Sequence, residues 1–298
     1  MRLIDPDLPE FERDPVSYFN GYTPRLRDLL LTRIYISLDT PIYLGLQKLH
    51  LSFIIFTDTP TVSLIRNLIT CPLLEELTLR EVYFPFIDTL SPVVAFLPCL
   101  RIMNISLVNL HTRYLLASIQ APAELMLSVG LNCRGLAPSI VTDVDTSALE
   151  RLPSLARIHS IDIKHNDDAK RCVVVGTSDP HSKFEVLKLD YFLGTPALTD
   201  CPPSFAYALR VDADSHIVCP LLRWLWLESD PPPDSQRLFE VLESRASSNW
   251  SVVLDASASL FHLTLRGSNF FDWKLVPKLL QLSVIVDWAK SERKVGSK

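Results

Sequence analysis

An L-x-x-L-x-L pattern, or a degenerate form of it, recurs at ten places along the 298 residues, and no other feature limits the fold as much. It is complete at Leu26-Leu29-Leu31, Leu46-Leu49-Leu51 and Leu74-Leu77-Leu79. Leu100-Met103-Ile105 is a degenerate copy, and Leu125-Leu127 keeps only two anchors. Ile158-Ile161-Ile163 and Phe184-Leu187-Leu189 exchange the apolar types, and Leu222-Leu225-Leu227, Leu260-Leu263-Leu265 and Leu279-Leu282-Val284 complete the series. The last two anchors of each copy stand two residues apart, which places them on one face of an extended strand. Intervals between middle anchors run from 19 to 38 residues. Several fall within the about 20–29 residues of a leucine-rich repeat, and the long ones leave room for insertions or a missed strand.

The spacers carry a different period. Thr61–Thr70 has apolar residues at Val62, Leu64, Ile65, Leu68 and Ile69, a helical stripe that Cys71-Pro72 ends. Leu110–Gln120 repeats the arrangement up to Ala121-Pro122, and Ser235–Ser248 predicts a third helix entered from Pro231-Pro232-Pro233-Asp234. Strands alternating with helices, each burying its anchors against the next, predict an α/β fold. Its form is an irregular leucine-rich-repeat solenoid, a curved parallel sheet with helices and loops on the convex side. The solenoid is expected over 23–290, between an N-terminal segment, 1–22, and a polar tail, 291–298.

One position departs from the full repeat, which places Asn or Cys three residues after the third anchor to satisfy the turn. Here those positions are Ile34, Ile54, Val82, Val108, Gly130, Asn166, Phe192, Asp230, Ser268 and Asp287. Only Asn166 fits. The turns must therefore be satisfied by other means, and the curvature is expected to be irregular.

Composition narrows the function. Lys and Arg number 29 against 34 Asp and Glu, a formal net charge of −5, and the basic footprint of a nucleic-acid binder is missing. Apolar residues make up 48% of the chain, which excludes a disordered polymer. The first residues, MRLIDPDLPE, hold no apolar run of a signal peptide, and no apolar window approaches a bilayer span. The six cysteines stand singly and read as free thiols, and the expected location is cytoplasmic or nuclear. The glycosylation sequons at Asn104 and Asn249 then carry no meaning.

The run from Thr23 to Pro85 resembles the leucine-rich part of F-box proteins from mushroom-forming fungi. Pro72, Leu74, Glu75, Leu77 and Leu79 match that family's phrase P-x-L-E-x-L-x-L, and YLLASIQAPAELMLSV is similar to its short helix, proline and strand. The likeness covers Thr23 to Val129 and continues beyond only as a pattern. It implies a substrate-recognition region of a cullin-type ubiquitin ligase subunit, with the Skp adaptor and a cullin as partners. In that role the chain does no chemistry and holds a target near the transferred ubiquitin. About 25 residues precede the first strand, where that family carries an F-box. Leu8-Pro9-Glu10-Phe11 is similar only to its opening, so the F-box is expected to be absent or truncated. The alternative is a stand-alone leucine-rich-repeat scaffold with no ligase role.

Residues between the anchors are expected on the concave face, where a protein target would sit. The candidates are Lys48, His50, Glu76, Arg80, Lys188, Asp190, Trp224, Trp226, Glu228 and Arg266. Trp224 and Trp226 stand out, because outward aromatics beside Arg223 and Glu228 suit a binding hot spot. The competing reading packs both rings under the long insertion before Pro220, and leaves the charged members as plain solvated surface.

Neither metal nor catalytic chemistry is indicated. Asp212, Asp214 and His216 form the sharpest oxygen and imidazole cluster, but the Gly and distant Glu of a calcium loop are missing. Asp143/Asp145 and Asp167/Asp168 read as polar loops, and His159 and His165 lack a zinc-binding spacing. There is no G-x-S-x-G elbow, no phosphate loop and no dinucleotide fingerprint. The chain is read as a binder with no cofactor, and not as an enzyme.

Overall fold

The computed structural model describes residues 26–85, 93–132, 151–166, 171–179, 185–192, 222–228, 235–247, 261–266, 273–282 and 284–289. The expected N-terminal segment and polar tail lie outside the described residues. So do the Asp212/Asp214/His216 cluster and the Asp143/Asp145 and Asp167/Asp168 pairs.

The first strands are β1 (Asp28–Thr32), β2 (Lys48–Ser52), β3 (Glu76–Arg80), β4 (Ala95–Phe96), β5 (Ile102–Ser106), β6 (Ile119–Gln120) and β7 (Met126–Asn132). They are followed by β8 (Ser160–Asn166), β9 (Arg171–Thr177), β10 (Glu185–Phe192), β11 (Trp224–Glu228), β12 (Phe261–Arg266) and β13 (Val284–Ala289). The helices are α1 (Thr61–Ile69), α2 (Asn109–Ala117), α3 (Ser235–Ser247) and α4 (Val276–Gln281). Eleven strands form one sheet in the order β1-β2-β3-β5-β7-β10-β9-β8-β11-β12-β13, while β4 and β6 pair apart from it. Only β9 runs antiparallel to its neighbours. The fold is α/β, built on a large and mostly parallel sheet.

Anchors align in two rows across that sheet. One row runs Leu29, Leu49, Leu77, Met103, Leu127, Leu187, Gly176, Ile161, Leu225, Leu263 and Val286. The second passes through Leu31, Leu51, Leu79, Ile105, Val129, Leu189, Val174, Ile163, Leu227 and Leu265, all buried. Each such buried side chain contributes about 1.5–3 kcal/mol on leaving water, so the rows supply a large part of the core. Behind them, α1 packs on β4 and α2, and buries Val62, Leu64, Ile65 and Leu68. Thr70 ends α1, its Oγ1 donating to the Asn67 carbonyl at 2.7 Å, before Cys71-Pro72. Cys71 and Cys99 carry free thiols.

Three sequence expectations are corrected. Successive copies are not always sheet neighbours: the chain passes from β7 to β8, returns through β9 and β10, and leaves again to β11. Leu127 therefore pairs with Leu187, and Ile161 with Leu225. The last copy is also displaced. Leu279 lies in α4 and Leu282 in a turn, while Val286 occupies the row of Leu263. A helical stripe at Val276, Leu279 and Leu280 competes with the strand pattern there, and the β-branched run Val284-Ile285-Val286 takes the sheet. Finally, α2 ends at Ala117, and Ile119-Gln120 is the strand β6.

Backbone contacts show how the turns work without asparagine. The Arg27 carbonyl accepts from the N–H groups of Gln47 and Lys48, and the Gln47 carbonyl from those of Glu75 and Glu76. The Glu75 carbonyl accepts from Arg101 and Ile102, and beyond the inverted strand β9 the His159 carbonyl accepts from Arg223 and Trp224. At the far strand ends, Arg33, Phe53 and Glu81 take φ of 58°, 56° and 50°. That conformation costs a non-glycine residue roughly 1–2 kcal/mol. It lets the N–H of Arg33 reach the Ser52 carbonyl at 2.9 Å, Phe53 that of Arg80 at 2.8 Å, and Glu81 that of Ser106 at 2.7 Å. Ile54 and Val82 are then free to bury apolar side chains where the full repeat has its polar one. Beneath these turns Phe56 stacks on Phe84 at 5.2 Å, with Tyr35 and His111 at the two ends of the ring series.

Candidate functional site: the open face of the sheet

Because the anchors are buried on one side, alternate residues of each strand stand on the other. All ten candidates occupy that open face, in three rows. Lys48, Glu76 and Trp224 share the row nearest the strand starts, and His50, Lys188 and Trp226 the middle row. Arg80, Asp190, Glu228 and Arg266 form the row nearest the strand ends. Lys48, Arg80 and Glu228 are exposed, and the others whose side chains are described are half-buried.

The face divides into two stretches of different chemistry. Over β1, β2, β3 and β5 it carries mostly polar groups, with Leu30 exposed among them. Ser52 is buried there, and so is Thr78, which a sequence reading would leave outward; Thr78 Oγ1 accepts from Asn104 Nδ2 at 3.3 Å. Over β8–β12 it carries aromatics and fixed charges. Trp224 stacks on His262 with ring centroids 5.8 Å apart and planes 18° from parallel. Trp226 stands in the next row, beside Asp162 on one side and Thr264 on the other.

Two ion pairs lie on this face. Asp190 accepts from Arg171 through both carboxylate oxygens, and Asp190 raises the Arg171 guanidinium above its ordinary range. Lys164 Nζ lies 2.8 Å from Asp162 Oδ2. These pairs set the orientation of the carboxylates from within the face. They leave Lys48, Arg80 and Glu228 without an ion-pair partner among the described residues.

Sequence reasoning missed Arg171, because β9 breaks the leucine pattern; the run Val173-Val174-Val175 was its one signal. It also missed the ring of Phe53, which sits in a turn with the guanidinium carbons of Arg33 and Arg80 at 5.7 and 5.3 Å from its centre. Among the described residues no group of three or more His, Cys, Asp or Glu is placed to hold a metal ion, and no helix is long and apolar enough to cross a membrane. No family model, curated protein or solved structure matches the chain.

Proposed function

We propose that the chain is a leucine-rich-repeat protein-binding module whose target lies on the face opposite the leucine rows. The observation that carries this reading is the half-exposed pair Trp224 and Trp226, two large rings on adjacent rows with Ser160 and Asp162 to one side and His262 and Thr264 to the other. Aromatic side chains that keep water contact on a rigid strand bury large area at low entropic cost when a partner covers them. The resemblance of the Thr23–Val129 region to fungal F-box proteins supports a role as the substrate-recognition region of a cullin-type ubiquitin ligase. The stand-alone scaffold is the alternative to that last step, and it shares the same binding face.

Affinity capture with the tagged chain, compared with a Trp224→Ala/Trp226→Ala variant, tests the binding face. Proteins held by the wild type and released by the variant are expected. Identical capture by both chains would contradict the assignment. Recovery of the Skp adaptor and a cullin separates the ligase role from the scaffold.

A further inference from the structure

The turn residue Phe53 is a poor choice for stability. Its φ of 56° suits Gly or Asn, the residue is 37% exposed, and two cations approach its ring. Arg33 comes from the turn after β1 and Arg80 from the end of β3, so the strands on either side of β2 each bring one guanidinium to the ring. Neither has an ion-pair partner among the described residues, and both are exposed. Like charges gathered on one ring repel one another, and cation–π attraction at an exposed site offsets this only partly. Next to them, Ile55 and Tyr83 pair through an isolated bridge and are 56% and 47% exposed.

We propose that Arg33 and Arg80, held at Phe53, grip the carboxylates of an acidic segment of a protein partner, whose apolar residues lie against Ile55 and Tyr83. This rests on the open face being a protein-binding surface, to which Arg80 belongs, and adds the chemistry of what binds there. The planar guanidinium fork matches a carboxylate in two parallel hydrogen bonds, and the ring keeps each fork oriented before the partner arrives. A nucleic-acid backbone is a poorer occupant, because the chain carries a net charge of −5.

The probe is a fluorescein-labelled peptide of alternating Glu and Leu, with a Gln–Leu peptide as its uncharged control, read by anisotropy on the full chain. The Glu–Leu peptide is expected to bind, and to weaken between about 50 and 200 mM salt. Arg33→Gln/Arg80→Gln should weaken it at least about tenfold, towards the Gln–Leu level. Phe53→Asn should also weaken it while leaving the thermal midpoint unchanged or higher, which a merely structural ring would not do. Equal affinity of wild type and the double Arg variant, or no binding of the Glu–Leu peptide, overturns the proposal. If a captured protein is lost from Trp224→Ala/Trp226→Ala yet fully retained by Arg33→Gln/Arg80→Gln, the acidic grip fails and the open-face reading stands. If both variants retain it, both fail.

Discussion

Ile158 occupies the space that a side chain at position 176 would need. A Cβ added to Gly176 would lie 2.9 Å from Ile158 Cδ1 and 3.2 Å from its Cγ2, with Leu187 Cβ at 3.3 Å. Gly176 sits in the first anchor row between Leu187 and Ile161, the one place in that row with no side chain. The buried Ile158 is the first anchor of its own copy, so it fills the gap left at the antiparallel strand. Gly176→Ala is therefore expected to destabilise by about 1–3 kcal/mol through overpacking, and Gly176→Val by more. Adding Ile158→Ala to Gly176→Ala should recover part of the loss, a coupling that a double-mutant cycle in urea would measure.

The left-handed turn residues offer a change of opposite sign. Glu81 holds φ of 50° without the tolerance of asparagine. Its backbone N–H, which bonds the Ser106 carbonyl, is unaffected by a side-chain change. Glu81→Asn is expected to stabilise by roughly 0.5–1 kcal/mol, seen as a higher denaturant midpoint with an unchanged slope.

His111 makes stability depend on acid. It is buried, its Nδ1 lies 3.0 Å from Thr61 Oγ1, and its ring is tilted against Phe84. Burial lowers its pKa below the ordinary 6.5, while a hydrogen bond to the Phe84 backbone opposes the shift. The folded state thus prefers the neutral ring. Its contribution is complete above pH 6.5 and is lost as pH falls from there through the depressed folded value. Urea titrations at pH 7.5 and 5.5 should show a drop that His111→Gln, which keeps an amide for Thr61, makes smaller. An equal drop in both chains would place the sensitivity elsewhere.

Anchors and face residues should separate cleanly. Leu79 is fully buried in the second row, and Leu79→Ala is expected to cost about 2–5 kcal/mol. Lys48→Ala, on the exposed side of β2, should stay within about 0.5 kcal/mol. Thermal unfolding of the two variants beside the wild type checks the contrast.

How much of this was legible from the residues follows from what a hydrophobic period reports. Spacing by two states which side chains leave water, so Leu49, Leu77, Leu225 and Leu263 and their buried row are readable directly. It does not state which strand lies beside which. The antiparallel β9 lies unread between the copies at β8 and β10, so the pairing of Leu127 with Leu187 has no local signature. The left-handed turns were hidden for a related reason, since Arg33, Phe53 and Glu81 are not residues that announce such a backbone. Parity puts Trp224 and Trp226 opposite the anchor rows, whereas the partner of Asp190 comes from the unread strand.

The most direct test of the central claim places a photo-crosslinking amino acid at Trp226, on the open face, and separately at Arg66, exposed on helix α1 behind the sheet. Irradiation in an extract of the cells that make the protein should yield a discrete adduct from position 226 and none from 66. Adducts from 66 alone, or the same adducts from both positions, would contradict the assignment of the binding surface to the face opposite the leucines.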